Sequence, residues 1–250
     1  MKEQLIAFLE SRSHHNEFSK DLAHNLIVGT YGGSYLHGTN EKNSDFDLRA
    51  VAVLNEDYIL GLREFEHTKL NGGTNGITTA EDLDVEVFHY DSFIRRVIAG
   101  EVNTIEMLYA PKDKIFFMEA LFRLLHDHRH LFFSKNLLRH YKGLVYRHVQ
   151  QAQAKVERLK KPEKIERILK YSYDTKEIMK AVMYLLIQIE FLKTGELNLF
   201  RHDAKMLLEL KHGGIATIQE ALAYVDQLIK ERDAAFETSK VPDKPPIDRI

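Results

Sequence analysis

Two aspartates separated by one residue, Asp45 and Asp47, follow a glycine–serine turn at Gly32, Gly33 and Ser34 in the stretch LIVGTYGGSYLHGTNEKNSDFDLRAVAV, residues 26–53. Successive side chains along a strand alternate faces, so Asp45 and Asp47 are expected to project together while Phe46 and Leu48 turn to the core. Carboxylates about 7 Å apart on one strand face suit a hard divalent cation such as Mg²⁺, which takes oxygen ligands and keeps phosphates as partners. The glycines let the backbone approach a phosphate with no Cβ in the way, and Ser34 adds a hydroxyl and a helix-start N–H. A further acidic strand is expected in DLDVEVFHY, residues 82–90, where Asp84 and Glu86 share one face and Leu83, Val85 and Val87 the other. Both carboxylates stay open as the third member of the set.

The surrounding chain must hold these groups in place. Leu5, Ile6, Phe8 and Leu9 recur at helical spacing and predict an amphipathic first helix over residues 2–11. Asn25 to Val28 reads as the first strand of a core sheet, and the strand carrying Asp45 and Asp47 runs on through Val53. The polar segment after it, with Gly72, Gly73 and Gly76, reads as a long mobile loop beside the site. Helices are expected from Ser92 to a stop at Gly100, from Thr104 to Tyr109 before Pro111, and from Ile115 to His130, where Phe116, Phe117, Leu121, Leu124 and Leu125 make a core stripe. From about Ser134 the pattern is helical throughout: a helix over 142–159, a new one at Pro162, one started by Asp174 and Glu177 as a capping box and closed by Gly195, and two more over 203–210 and 217–231. The expected fold is therefore α+β, a small mixed sheet flanked by helices over residues 1–132. An α-helical bundle follows over 133–238, closing one side of a cleft, and then an extended or disordered tail over 239–250.

Composition narrows the classes. Apolar content of 44% with 29% charged residues is that of an ordinary globular protein. The 35 Lys and Arg nearly balance the 37 Asp and Glu, so any nucleic-acid contact needs a local patch, and the small net charge permits a homo-oligomer. Without cysteine there is no disulfide and no thiolate chemistry. The start lacks a continuous apolar run and Ala181 to Ile187 is too short to span a bilayer, so the expectation is a cytoplasmic protein with no membrane contact.

A Gly-Ser turn, an Asp-x-Asp strand eleven residues on and a distant third carboxylate together resemble the nucleotidyltransferase superfamily that includes DNA polymerase β. Gly33-Ser34-Tyr35-Leu36-His37-Gly38, Ser44-Asp45-Phe46-Asp47-Leu48-Arg49, Asp57 to Leu62, Asn103-Thr104-Ile105-Glu106-Met107-Leu108, Tyr173-Asp174-Thr175-Lys176 and Gly195-Glu196-Leu197 resemble the YcgL-like or RlaP-type nucleotidyltransferases of bacteria and phages. That family has Arg or His and then Ala after the Gly-Ser, where this chain has Tyr35-Leu36. The resemblance implies a polymerase β-like catalytic domain that transfers a nucleoside monophosphate from an NTP, with ATP first, to a hydroxyl, releasing pyrophosphate. It further implies that Asp45 and Asp47 hold two Mg²⁺ ions, or Mn²⁺ in their place, and that Asp84 completes one metal site and orients or deprotonates the acceptor hydroxyl, with Glu86 as its alternate. Gly33, Ser34, Arg49, Lys176 and Lys180 would hold the nucleotide. The family context is RNA repair, which makes an RNA 3′ end the first acceptor.

Other residues bear on partners. Lys176, Lys180 and Tyr184 recur every four residues on one helix face, a cationic arm toward the triphosphate or an ordinary solvated face. Residues 155–170 carry seven Lys or Arg against three Glu and suit an RNA backbone. Glu157 with Lys161, Glu163 with Arg167 and Glu166 with Lys170 explain the same run as an exposed helix. Of His126, His128 and His130 only the first and last share a helix face, and no third ligand stands nearby, so zinc is not expected. Two alternatives to RNA-directed transfer stay open: an AMPylating enzyme of toxin–antitoxin type that modifies a partner protein, and a non-catalytic NTP- or RNA-binding module.

Overall fold

A computed structural model of the chain describes residues 1–12, 18–71, 83–156 and 162–245. Two compact units divide it, Met1–Phe132 and Phe133–Pro245. The expectations for most of the glycine-rich loop, for residues 157–161 and for the last five residues lie outside the described residues.

The first unit is built on a five-stranded mixed sheet. Its strands are β1 (Leu26–Tyr31), β2 (Phe46–Ala52), β3 (His67–Asn71), β4 (Leu83–His89) and β5 (Ile115–Met118), in the spatial order β3-β4-β2-β1-β5. Only β2 and β4 run parallel; the other neighbours are antiparallel. Phe46, Leu48, Ala50 and Ala52 alternate with Asp47, Arg49 and Val51, which splits β2 between two faces. Leu48, Ala50 and Ala52 pack with Val85 and Val87 against Leu5 and Leu9 of α1 (Lys2–Ser11) and Leu22 and Ala23 of α2 (Ser19–His24). Toward the far end of the opposite face, Phe88 meets Phe93 of α5 (Tyr90–Ala99), and Phe93 meets Phe122 of α7 (Ala120–Asp127). The structure is thus α+β with a small mixed sheet.

Two strands differ from the sequence reading. The polar stretch after β2 is not one loop: it holds a one-turn helix α4 (Glu56–Ile59) and the edge strand β3, whose one apolar side chain, Leu70, is half-buried. Few of its residues are apolar, so no period-2 signal marks it; pairing with β4 makes it a strand. Ile115 to Met118 is strand rather than helix, because β1 has an open antiparallel edge there and a four-residue apolar run suits either state. The helix then begins only at Ala120, leaving Leu121 and Leu124 exposed instead of in a core stripe. His126 and His130 do not share a helix, since Arg129–Phe132 is a 3-10 turn.

The second unit, among the described residues, is helical: α8 (Leu137–Ala152), α9 (Pro162–Tyr171), α10 (Thr175–Thr194), α11 (Ala204–Lys211) and α12 (Ile218–Thr238). α10 is its centre, with Ile178, Ala181, Val182, Leu185, Ile189 and Phe191 buried. Asp174 caps its first turn and Gly195 ends it at φ 76°. Glu177 does not close the capping box but turns to His148; the reciprocal box belongs to Thr217 and Glu220 at α12. Residues 239–245 are tied to this unit: Ser239 donates to the Leu192 carbonyl and the Lys135 N–H to that of Pro242. Among the described residues no helix is long and apolar enough to cross a membrane.

Candidate active site

Gly32 and Gly33 turn the chain out of β1 into α3 (Gly33–His37), which Gly38 ends in the left-handed region. The turn is pinned to the acidic strand, because the Gly32 N–H donates to the Asp47 carbonyl at 2.7 Å. A Cβ on Gly33 would lie 1.9 Å from Asp47 Oδ2, and one on Gly32 would lie 3.1 Å from Arg49 Cζ. Glycine is therefore required twice: for the φ of +50° at Gly33 and for the closeness of a carboxylate to the main chain. Ser34 follows at once, half-buried, its carbonyl accepting from the Thr39 N–H. Asp45 stands just before β2, behind a turn closed by Glu41 and Ser44.

Parallel pairing of β2 with β4 puts Asp47 opposite Asp84 and Arg49 opposite Glu86, and antiparallel pairing of β3 with β4 adds Asn71 and Lys69 to the same two rows. The sheet face is thereby graded. An acidic row of Asp47 and Asp84 is followed by a row of charges that neutralise one another, then by Val51 and Phe88 in the apolar core. In the second row Glu86 meets Lys69 at 3.1 Å and accepts from Asn103 at 2.7 Å. Arg49 donates to Glu106 at 2.7 Å and to Asn103 at 3.1 Å, and Glu106 also meets His37 at 3.3 Å. Burial pushes the fully buried Glu106 carboxyl up, but the Arg49 guanidinium and His37 more than offset it, holding it at about 2.

These contacts sort the sequence candidates. Asp47 and Asp84 are brought side by side, with Gly33 against Asp47. Both oxygens of Glu86 are taken by Lys69 and Asn103, and Arg49 spends two nitrogens on Glu106 and Asn103, so each is tied into the protein behind the acidic row. Tyr35, where the family-like pattern has a basic residue, stacks on Phe46 at 4.4 Å and near Tyr31, on the opposite side of β2. Sequence reasoning assigned no role to Glu106, His37, Asn103 or Lys69. Besides the family-like stretches that hold His37, Asn103 and Glu106, a signal was available in a carboxylate inside the helix α6 (Val102–Leu108), between Ile105 and Met107, where only a buried partner makes a charge tolerable.

Among the described residues no group of three His, Asp or Glu side chains is placed to hold a metal by itself. That does not weigh against Mg²⁺, which is commonly bound by one or two carboxylates plus substrate phosphates. The Asp47–Asp84 pair beside the glycine turn fits such an ion.

Lys176 and Lys180 belong to α10 in the second unit. There Asp174 is fully buried and meets Lys164 at 3.3 Å and Arg167 at 3.1 Å. Glu177 bonds His148 at 2.6 Å; burial raises its carboxyl, yet His148, Lys180 and Lys164 bring it down to about 2. Lys164 and Arg167 thus face buried carboxylates rather than solvent, while Lys155 and Lys170 of the same basic run are exposed. Tyr184 stacks on His148 inside the bundle.

The RNA repair pathway DNA polymerase beta family, RlaP, matches residues 2–250 of this sequence. A protein of Enterobacteria phage T4, described as an uncharacterized 38.9 kDa protein of the nrdC-mobD intergenic region, is 25% identical over 136 residues. The alignment spans 53% of this chain and 40% of the phage protein, so the chain matches less than half the length of that curated relative. A nucleotidyltransferase-like protein from Exiguobacterium sibiricum 255-15 superposes with a TM-score of 0.34 at 11% identity, over 91% of this chain and 77% of that one. A superposition at that score carries no argument.

Proposed function

We propose, for a chain that belongs to the RlaP family, the RNA repair pathway DNA polymerase beta family, that it moves a nucleoside monophosphate from a Mg²⁺-bound NTP to the 3′ hydroxyl of an RNA. Membership places it in a DNA polymerase beta family of an RNA repair pathway; the transfer activity, the metal, the nucleotide and the acceptor are the proposal. The observation that carries it is the packing of the Gly33 turn on Asp47, which pairs with Asp84 across β2 and β4, so that two carboxylates stand together beside a glycine–serine turn.

In this reading Ser34 donates its hydroxyl to a phosphate oxygen of the NTP, and Asp47 with Asp45 would hold the metal. Bound Mg²⁺ would supply the positive charge that the α-phosphorus and the departing pyrophosphate require. Asp84 lies next to Asp47 and accepts the proton of the acceptor hydroxyl as its oxygen bonds the α-phosphorus and the bond to the β-phosphate oxygen breaks. Glu86 and Arg49, bound to Lys69, Asn103 and Glu106, hold the row behind the acids. ATP is the first nucleotide to test.

The test is incubation with each α-labelled NTP, Mg²⁺ and total RNA or lysate, followed by identification of the polymer that takes up label. Label on RNA 3′ ends that vanishes in the Asp45→Asn, Asp47→Asn double variant is expected. Label on protein would replace the RNA acceptor, and no label with any NTP would remove the transfer reading.

A further inference from the structure

α3 is only five residues long, too short to be stable by itself, yet it carries the start of the nucleotide site. Its first residue is held by the turn against Asp47; its last, His37, is 2% exposed and faces Glu106 Oε1 at 3.3 Å. The second oxygen of the same carboxylate, Oε2, takes Arg49 Nη1 at 2.7 Å, two residues beyond Asp47 on β2. Arg49 in turn forms the floor under the Gly32 turn. Glu106 is completely buried on α6 and belongs to neither of the elements it joins. A carboxylate so placed has one geometric consequence: the two halves of the site cannot separate without breaking one of two buried contacts to the same carboxylate, from Arg49 or from His37.

We propose that Glu106 is a positioning residue for the transfer reaction, a single buried carboxylate that sets the separation between the Ser34 hydroxyl on α3 and the Asp47 carboxylate on β2. The proposal rests on the reading of Ser34 and Asp47 as nucleotide and metal groups. Groups that orient a metal ligand from behind are typically worth about 10- to 100-fold in metal affinity or activity, and Glu106 acts here through Arg49 and His37 on both sides at once.

The experiment compares Glu106→Gln, His37→Asn and their double variant by calorimetric titration with Mn²⁺ alone, by steady-state kinetics with the NTP, and by thermal melting. His37→Asn loosens only α3, so the KM for NTP should rise about tenfold with Mn²⁺ affinity as in the parent. Glu106→Gln should raise KM and weaken Mn²⁺ binding, each about tenfold, and the double variant should be no worse than Glu106→Gln alone, because both changes break one connection. Additive losses, or Glu106→Gln with parental KM and Mn²⁺ affinity, would overturn the proposal. Should Glu106→Gln not melt cooperatively, Glu106→Asp decides: it keeps the charge but is one methylene too short for both partners, so a parental KM overturns the idea and a raised KM with intact fold supports it. Asp47→Asn runs alongside. If Asp47→Asn still transfers, the site reading itself fails; if it is inactive while the Glu106 variants are fully active, only the positioning role fails.

Discussion

Replacing Gly33 with alanine puts a methyl group where the structure has none to spare. Its Cβ would stand 1.9 Å from Asp47 Oδ2 and 2.9 Å from Asp47 Cγ, whereas ordinary contact begins at 3.4 Å. Asp47 or the turn must therefore give way by about 1.5 Å along the shorter approach. Two costs follow. A non-glycine residue at φ +50° costs about 1 kcal/mol, and the overlap adds about 1–3 kcal/mol of the kind seen when a packed site is overfilled. Gly61 separates them: its φ is +73° with nothing within 4 Å of an added Cβ, so Gly61→Ala carries the backbone cost without the collision. In urea unfolding Gly61→Ala should lose about 1 kcal/mol and Gly33→Ala visibly more. The larger effect is catalytic. Misplacing a reacting group by about 1 Å costs about 100-fold, so Gly33→Ala should lose at least that much in kcat/KM with labelled NTP while Gly61→Ala keeps parental activity. If the two alanine variants are equally stable, or Gly33→Ala transfers within about twofold of the parent, the argument that Gly33 exists to bring the backbone onto Asp47 is refuted.

Asp84→Asn should abolish transfer by about a hundredfold or more, whereas Glu86→Gln should chiefly lower stability by about 1–3 kcal/mol through its lost contacts to Lys69 and Asn103; the reverse ranking of activities would exchange their roles. Glu177 should register in acid unfolding. Its carboxyl is held at about 2 against an ordinary 4.5, so its stabilisation is complete above about pH 4.5 and is lost as pH falls toward 2. The gap between parent and Glu177→Gln in unfolding free energy, on the order of 3 kcal/mol at neutral pH, should close across that window, and a gap unchanged at pH 2.5 would exclude the contacts with His148, Lys180 and Lys164 as its source. For an RNA acceptor, neutralising the exposed Lys155 and Lys170 should make log K against log salt shallower by about 0.7 per charge. An unchanged slope would turn attention to a protein acceptor, and Lys164→Ala would not substitute, because Lys164 is held by Asp174 and Glu177.

Local pattern was enough wherever one element's own residues dictate its state. Alternation in residues 46–52 and 83–89 gives β2 and β4, the spacing of Leu5 and Leu9 gives α1, and Gly100 and Gly195 end their helices because a left-handed residue is needed there. The same alternation put Asp84 and Glu86 on one face, and the glycine–serine turn ahead of the strand that carries Asp47 was legible before any fold was known. Pairing was not. β3 and β5 are strands because β4 and β1 offer them edges, and no period within His67–Asn71 or Ile115–Met118 announces that. Nor could spacing rank Asp84 above Glu86: they are equivalent on their strand, and what separates them is the lateral row each joins, Asp84 beside Asp47, Glu86 beside Arg49 with Lys69 and Asn103 closing on it. Glu106 lies 57 residues from the arginine it binds. Partners so distant are chosen by which helix lies over which strand, and a buried charge reveals its purpose only when its counter-ion is seen beside it.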